Sequence, residues 1–176
     1  KKNRLAVLEA LLNRHELTFR LNATTYAWLD QVNVPTSAVI KLQQLVQDQA
    51  LGQETFIALL DKCLPTLGAQ HRRYILEAAA LAAYRAQQEF PVLKLPICDD
   101  APQFKRLTEE LALCWVHDGR HYKKLNPVLA HHRHLLDDFL KRYWDYYDEL
   151  LTYQQNPTPE EVPRLSKAFD DLFSEA

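Results

Sequence analysis

A chain of 176 residues, 47% hydrophobic and 25% charged, can bury the core of one domain, or of one domain with an insertion, and is not compositionally disordered. Its net charge of −2 provides no global basic field, so any nucleic-acid binding must rest on local patches. Cys63, Cys98 and Cys114 are an odd set without a signal peptide, which points to a reduced, cytoplasmic protein, and no apolar run approaches the roughly 18 residues that cross a bilayer. The chain has no Met, and its last apolar helix runs toward Ala176 without a stop signal, so it is expected to be an internal piece of a longer protein.

Glycine is scarce and helical periodicity dominates. Arg4–Leu12 carries Leu5, Leu8, Leu11 and Leu12 on one face. Leu17–Leu21 reads as a short strand or an extended link. Asn22 is placed to cap a helix through Trp28 and Leu29. Pro35–Ser37 breaks the chain, and the next helix, with Val39, Leu42, Leu45 and Val46, stops at Gly52. Thr55–Leu60 opens another, closed around Pro65 and Gly68. His71–Gln88 is alanine-rich, with Ile75, Leu76, Ala79, Ala83 and Tyr84 at helical spacing.

The pattern then changes. Val92–Cys98, apolar and bounded by Pro91 and Asp99-Asp100, predicts a buried strand, although Pro96 cannot donate to a ladder. Gln103–Glu110 predicts a short helix and Leu111–Val116 a second strand. Such a strand–helix–strand unit has parallel strands. After Gly119 the chain is helical again, with Leu136, Phe139, Leu140, Tyr143, Trp144, Tyr147, Leu150 and Leu151 in one apolar stripe. Asn156–Pro159 is a turn. Glu160 and Glu161 suit the first turn of a last helix carrying Leu165, Phe169, Leu172 and Phe173.

The sharpest chemical feature is Ile97–Phe104. A carboxylate at the C-terminal end of a strand is where open α/β sheets place their chemistry. Metal-dependent phosphoryl transfer needs carboxylates to hold divalent ions, and Mg²⁺ takes one or two of them while keeping several waters. Asp99 and Asp100 could equally cap the following helix. Among Cys98, Cys114, His117 and His121, the C-x-x-H spacing of Cys114 and His117 suits half of a zinc site; the alternative is a buried strand cysteine with a polar histidine. Arg120, His121, Lys123 and Lys124 form a basic cluster that either meets DNA phosphates or is a solvated helix face. His131, His132 and His134 lack the i, i+4 spacing of a metal pair and read as surface. The aromatic run Tyr143–Tyr147 either stacks on bases or packs in a core.

Asp99-Asp100-Ala101-Pro102-Gln103-Phe104 resembles the strand-end D-N-G-P-x-F element of retroviral integrases and DDE transposases, with Asp99 at the place of the second metal-binding carboxylate and Asp100 at the place of Asn. Leu113-Cys114-Trp115-Val116-His117-Asp118-Gly119-Arg120 and the residues through Leu125 are similar to the C-W-x-H…R element of bacterial insertion-sequence transposases. Lys2-Asn3-Arg4 resembles the segment after the first three strands of that group, and Arg73–Ala78 the helix before its catalytic strand. Tyr143–Tyr147, Pro157 and Phe169–Phe173 resemble its helical insertion. The likeness covers nearly the whole chain, and the Asp99 and Cys114 blocks are its specific parts.

The resemblance implies a mainly α chain with a small α/β element, a fragment of an RNase H-like core with two short parallel strands and helical insertions. Residues 1–91 would be the helical segment before the catalytic strand, 92–118 the strand–helix–strand piece of the core, and 119–176 the helical insertion. The intact protein would be a DDE-type transposase catalysing metal-dependent DNA cleavage and strand transfer at transposon ends. Asp99 would be catalytic and would help hold Mg²⁺ or Mn²⁺; Arg120, His121, Lys123 and Lys124 would meet DNA. Its partners would be transposon-end and target DNA and further copies of itself, in the cytoplasm and away from membranes. The family's first aspartate would lie before Lys1 and its glutamate after Ala176, so the isolated chain is expected to be inactive. The alternative is a non-catalytic helical remnant of a transposase that binds DNA or a protein.

Overall fold

The computed structural model describes residues 3–13, 16–89 and 91–174. Lys2, at the start of the family resemblance, and Glu175–Ala176, toward which the last apolar helix is expected to run, lie outside them. The described residues form eight α-helices and four two-residue strands, the strands grouped in two small sheets, so the chain is mainly α as its periodicity predicts. They divide into two compact units, Lys1–Leu111 and Ala112–Ala176.

The first unit opens with α1 (Arg4–Leu12), capped by Asn3, whose Oδ1 accepts the Ala6 N–H at 2.8 Å. Asn13 ends it at φ 50°, in the left-handed region that asparagine tolerates better than most residues. β1 (Thr18–Phe19) follows, then α2 (Ala23–Gln31), α3 (Thr36–Gln43), β2 (Leu51–Gly52), α4 (Gln53–Cys63) and α5 (Ala69–Ala86). Asn22 caps α2 as the sequence predicts, in a reciprocal capping box with Thr25. β1 and β2 run antiparallel, Thr18 opposite Gly52 and Phe19 opposite Leu51. Phe19 stacks on Phe56 of α4 with ring centroids 4.9 Å apart.

α5 is the centre of this unit. Every residue from Glu77 to Tyr84 is buried, and a helix apolar around its whole circumference is stable only inside a core. Its alanines keep the helix thin, so α1, α2 and β1 all pack directly against it. Leu8, Leu29, Leu42, Phe56, Leu60, Ile75 and Leu81 fill the remaining space, each essentially without exposure. Burying a side chain of this size contributes about 1.5–3 kcal/mol relative to leaving it in water.

Residues 92–116 depart from the sequence reading. Only Ile97–Cys98 (β3) and Ala112–Leu113 (β4) are strands. Val92–Pro96 has no regular structure: Leu93 donates its N–H to the Tyr84 hydroxyl at 3.0 Å instead of to a ladder, and Val92 and Leu93 pack on the first unit's core. Ile97 is 75% exposed, so the strand is not a buried one. Gln103–Glu110 is a run of turns, with Phe104 N–H on Ala101 O and Leu107 N–H on Phe104 O. The carbonyls of Pro102 and Lys105 accept from the Arg4 guanidinium, which ties this segment down as turns. Arg106, at φ 66°, breaks the helical path as well. The expected strand–helix–strand unit is therefore absent among the described residues. The second strand is short because α6 (Trp115–Tyr122) begins where it was expected to continue.

The second unit consists of α6, α7 (Ala130–Gln155) and α8 (Glu161–Ser174), with α7 packed on both others. Its core is Tyr143, Tyr146, Leu165 and Leu172, surrounded by Trp115, Tyr122, Phe139, Trp144 and Leu150. Trp115 stacks on Tyr143 at 4.3 Å, which explains why this residue enters a helix rather than a strand: the ring gains a large aromatic contact there. Gly119 is a point of close approach between α6 and α7. A Cβ at that position would lie 2.7 Å from the Trp144 ring and 2.9 Å from the Tyr143 ring. The predicted aromatic run is thus core rather than a stacking platform. Tyr146, outside the predicted stripe, is buried in it, whereas Leu151, inside the stripe, is 40% exposed.

Candidate functional site

Asp99 directly follows β3, at a strand end as expected, and is half-buried. Its Oδ1 accepts the Ala101 N–H at 3.3 Å, the two-residue reach of an Asx turn. The carboxylate therefore caps a turn, not a helix. Asp100 is exposed and pairs with Lys105 at 2.9 Å. Such an open pair stabilises the fold by at most about 1 kcal/mol, but it offsets the charge of Asp100. Asp99 has no ion pair among the described residues. It offers one hard oxygen ligand, a fitting share of a Mg²⁺ shell but not a complete one. Among the described residues no group of three or more His, Cys, Asp or Glu side chains is arranged to hold a metal.

The turns after Asp99 are held from beneath by a buried ion pair. Arg4 and Glu77 are 8% and 5% exposed and bond through Nη1 and Oε2. Arg4 Nη2 also donates to Pro102 O at 2.9 Å and Lys105 O at 2.8 Å, and Nε donates to Lys105 O at 3.2 Å. Its guanidinium lies 5.3 Å from the Trp28 ring centroid. Burial pushes the pKa of Arg4 down and Glu77 opposes that; Arg106 and Arg73 push it down further. A guanidinium nonetheless stays charged in proteins, so Arg4 is a fixed cation.

Around this pair lies a cleft of about 590 Å³ whose walls include Trp28, Arg73, Tyr74, Lys105 and Arg106. Arg73 sits 5.4 Å from the Tyr74 ring, and Arg106 5.9 Å from the Trp28 ring. Arg73 Nε is also 3.8 Å from Glu77 Oε1. Sequence reasoning passed over this cleft. One signal was available: Glu77 stands in an alanine-rich helix too apolar to face water, and a buried carboxylate needs a cation.

The predicted DNA-binding residues lie in the second unit, in sequence at the C-terminal end of α6. Arg120 and His121 are in its last turn and Lys123 is its C-cap; all three and Lys124 are exposed. Lys123 Nζ is 4.8 Å from the Trp144 ring centroid, and none of the three permanent cations has an ion-pair partner among the described residues. Cations at a helix C-terminus are also favoured by the helix dipole, by about 0.3–1 kcal/mol. Their position alone therefore does not require a ligand.

Cys114 is the N-cap residue of α6, and its backbone carbonyl accepts the N–H groups of His117 and Asp118 at 3.0 Å each. Cys63 and Cys114 are free thiols. His131, His132 and His134 are exposed on the first turns of α7. No helix among the described residues is long and apolar enough to cross a membrane. Compared with known proteins, the chain matches no family model, no curated protein and no solved structure.

Proposed function

We propose that the chain is part of a DDE-type DNA transposase, an enzyme that cleaves DNA and transfers strands at transposon ends. The observation that carries the reading is the asymmetry of the aspartate pair. Asp99 stands at a strand end with no cation beside it, and Asp100 is paired with Lys105. The D-N-G-P-x-F motif asks for this division: a free carboxylate first and a residue with no metal role second. Asp99 would supply one ligand to Mg²⁺ or Mn²⁺. The bound ion would supply Lewis-acid activation of the attacking oxygen and charge stabilisation of the leaving one. Arg120, His121, Lys123 and Lys124 would meet phosphates of the transposon end or the target, where cations fix register without reading sequence. The RNase H-like core, the partner carboxylates and self-association belong to the intact protein in this proposal.

The test is a pair of substitutions in the intact protein. Asn keeps the size of Asp and can accept the same Ala101 hydrogen bond, but it loses the charge that a hard cation requires. Asp99→Asn should therefore reduce DNA cleavage at least about a hundredfold, corresponding to the several kcal/mol that a metal contributes, with folding and DNA binding retained. Asp100→Asn should cleave normally. The hydrogen bond to Ala101 favours a second reading, in which Asp99 only shapes the turn and the chain is a non-catalytic module. Normal cleavage by both variants would select that reading, and activity lost only in Asp100→Asn would shift the motif by one residue.

A further inference from the structure

The cleft over the Arg4–Glu77 pair holds more positive charge than its surroundings neutralise. Four cations, Arg4, Arg73, Lys105 and Arg106, face the single carboxylate of Glu77. Arg4 commits all its donor nitrogens to Glu77 and to the Pro102 and Lys105 carbonyls. Lys105 leans on Asp100. Arg73 keeps only a long contact to the already paired Glu77, Nε to Oε1 at 3.8 Å, and Arg106 has no ion pair among the described residues; each lies against an aromatic ring, Tyr74 and Trp28. A ring face holds a guanidinium flat and limits the rotamer freedom that ligand binding would otherwise have to remove. Outside the Arg73 Nε contact to Glu77, neither guanidinium has an ion pair among the described residues, and its planar N–H fork matches two oxygens of a phosphate. Like charges so close repel one another, and the lowered pKa of Arg4, due first to burial and then in part to Arg106 and Arg73, registers that repulsion. An anion in the cleft relieves it. The volume, about 590 Å³, is in the range of small-ligand sites.

We propose that this cleft binds the phosphate group of a nucleotide, free or within a nucleic-acid strand, through Arg73 and Arg106. Arg4 is the fixed charge beneath, and it holds the turn that carries Lys105 and Arg106 in place. The site shares no residue with the predicted basic cluster on α6, and it does not depend on Asp99 holding a metal. It also absorbs two segments that the sequence singles out without assigning a role, those around Arg4 and around Arg73-Tyr74.

The experiment measures fluorescence anisotropy of two probes, a labelled single-stranded oligodeoxynucleotide and a labelled nucleoside monophosphate, over a range of salt. Arg73→Ala/Arg106→Ala should weaken oligonucleotide binding about tenfold and lower the salt slope by about two units, one for each phosphate no longer met by a guanidinium. Arg73→Lys/Arg106→Lys should keep the slope while losing part of the affinity, because lysine keeps the charge without the fork. Inorganic phosphate should compete with both probes. Binding of the monophosphate alone, lost in the Ala pair, supports the site and makes a free nucleotide its ligand. Lys123→Ala/Lys124→Ala separates the α6 cluster, whose failure or success bears on the transposase reading and not on the cleft. If the Ala pair keeps its circular dichroism and binds both probes with unchanged affinity and slope, the proposal is overturned. If that pair does not fold, Arg106→Glu alone decides, since its side chain is on an exposed turn: retained binding rejects the site and lost binding supports it.

Discussion

Tyr143 is the residue on which the second unit turns. It is fully buried, and its hydroxyl donates to Trp115 O at 2.8 Å and to Asp118 Oδ2 at 3.1 Å. Burial, then the hydrogen bond and charge of Asp118, push its pKa well above the ordinary tyrosine value of 10.0. The neutral phenol is the protonated form, so the folded state holds this proton more tightly than the unfolded state. The resulting stability is fully present below pH 10 and is lost as pH rises from there toward the folded-state pKa. Across that window each such tyrosine changes stability by roughly 1.4 kcal/mol per pH unit. Tyr122 and Tyr146, both also raised by burial, add to the effect. Melts followed by tryptophan fluorescence, with Trp115 stacked on Tyr143, should therefore show the second unit losing stability steeply above pH 10. Tyr143→Phe should be less stable at neutral pH and flatter above pH 10; an equally steep alkaline loss in that variant would remove Tyr143 as a cause. At this scale the sequence was legible where local chemistry decides. Asn22 as a helix cap needs only its neighbours. Gly119 was not legible as a packing residue, because the ring it must clear, that of Trp144, is distant in sequence.

Among the elements, most helices follow from periodicity, although α3 stops at Gln43 and leaves Leu45 and Val46 outside it with Leu51–Gly52 a strand, and the segment 92–116 does not follow from it. α1 and α2 are specified by apolar residues and local side-chain caps, and α5 by an alanine-rich apolar run without a side-chain cap, all of which a window of sequence contains. The turns at 102–107 are specified by Arg4, about a hundred residues earlier in the chain, which supplies donors to the Pro102 and Lys105 carbonyls. Glu77 makes that possible by holding Arg4 in a buried site. Removing either partner leaves a buried charge uncompensated, so Arg4→Met or Glu77→Gln should each cost about 3–5 kcal/mol in chemical denaturation. Arg4→Met/Glu77→Leu should recover much of that loss, because an apolar pair of similar volume carries no desolvation cost. The double variant would still lack the clamp on Pro102 and Lys105. Its turns should exchange amide hydrogen faster than those of the parent even when global stability is regained. Additive losses in the double variant would mean that the two side chains act separately and not as a unit.

For the whole molecule, stability is unevenly spread, and the distribution follows from where each helix is covered. α5 is enclosed, with Glu77–Tyr84 all buried. α7 is longer, 26 residues, yet its buried positions are Tyr143 and Tyr146, and Ala130–Leu135 are all exposed. Before them Leu125, Val128 and Leu129 are exposed at 56%, 85% and 60%. Arg133 ties this stretch to itself, donating to Pro127 O at 3.1 Å and Val128 O at 2.9 Å, which limits fraying without covering the apolar side chains. Local opening costs least where little apolar packing is broken and most where the core must be breached. Amides of Ala78–Tyr84 should thus be the slowest to exchange in the first unit, at rates set by its global unfolding. Those of His134–Leu136 should exchange much faster than those of Trp144–Leu150 in the same helix. The comparison within α7 is the informative one, because both stretches lie in one continuous helix and differ in burial. The measurement is hydrogen exchange of the chain at two protein concentrations. Equal protection along α7 at both concentrations would reject burial as the determinant. Protection of His134–Leu136 that rises with concentration would show these apolar residues to be covered by a second copy, and exchange there would then report self-association rather than folding.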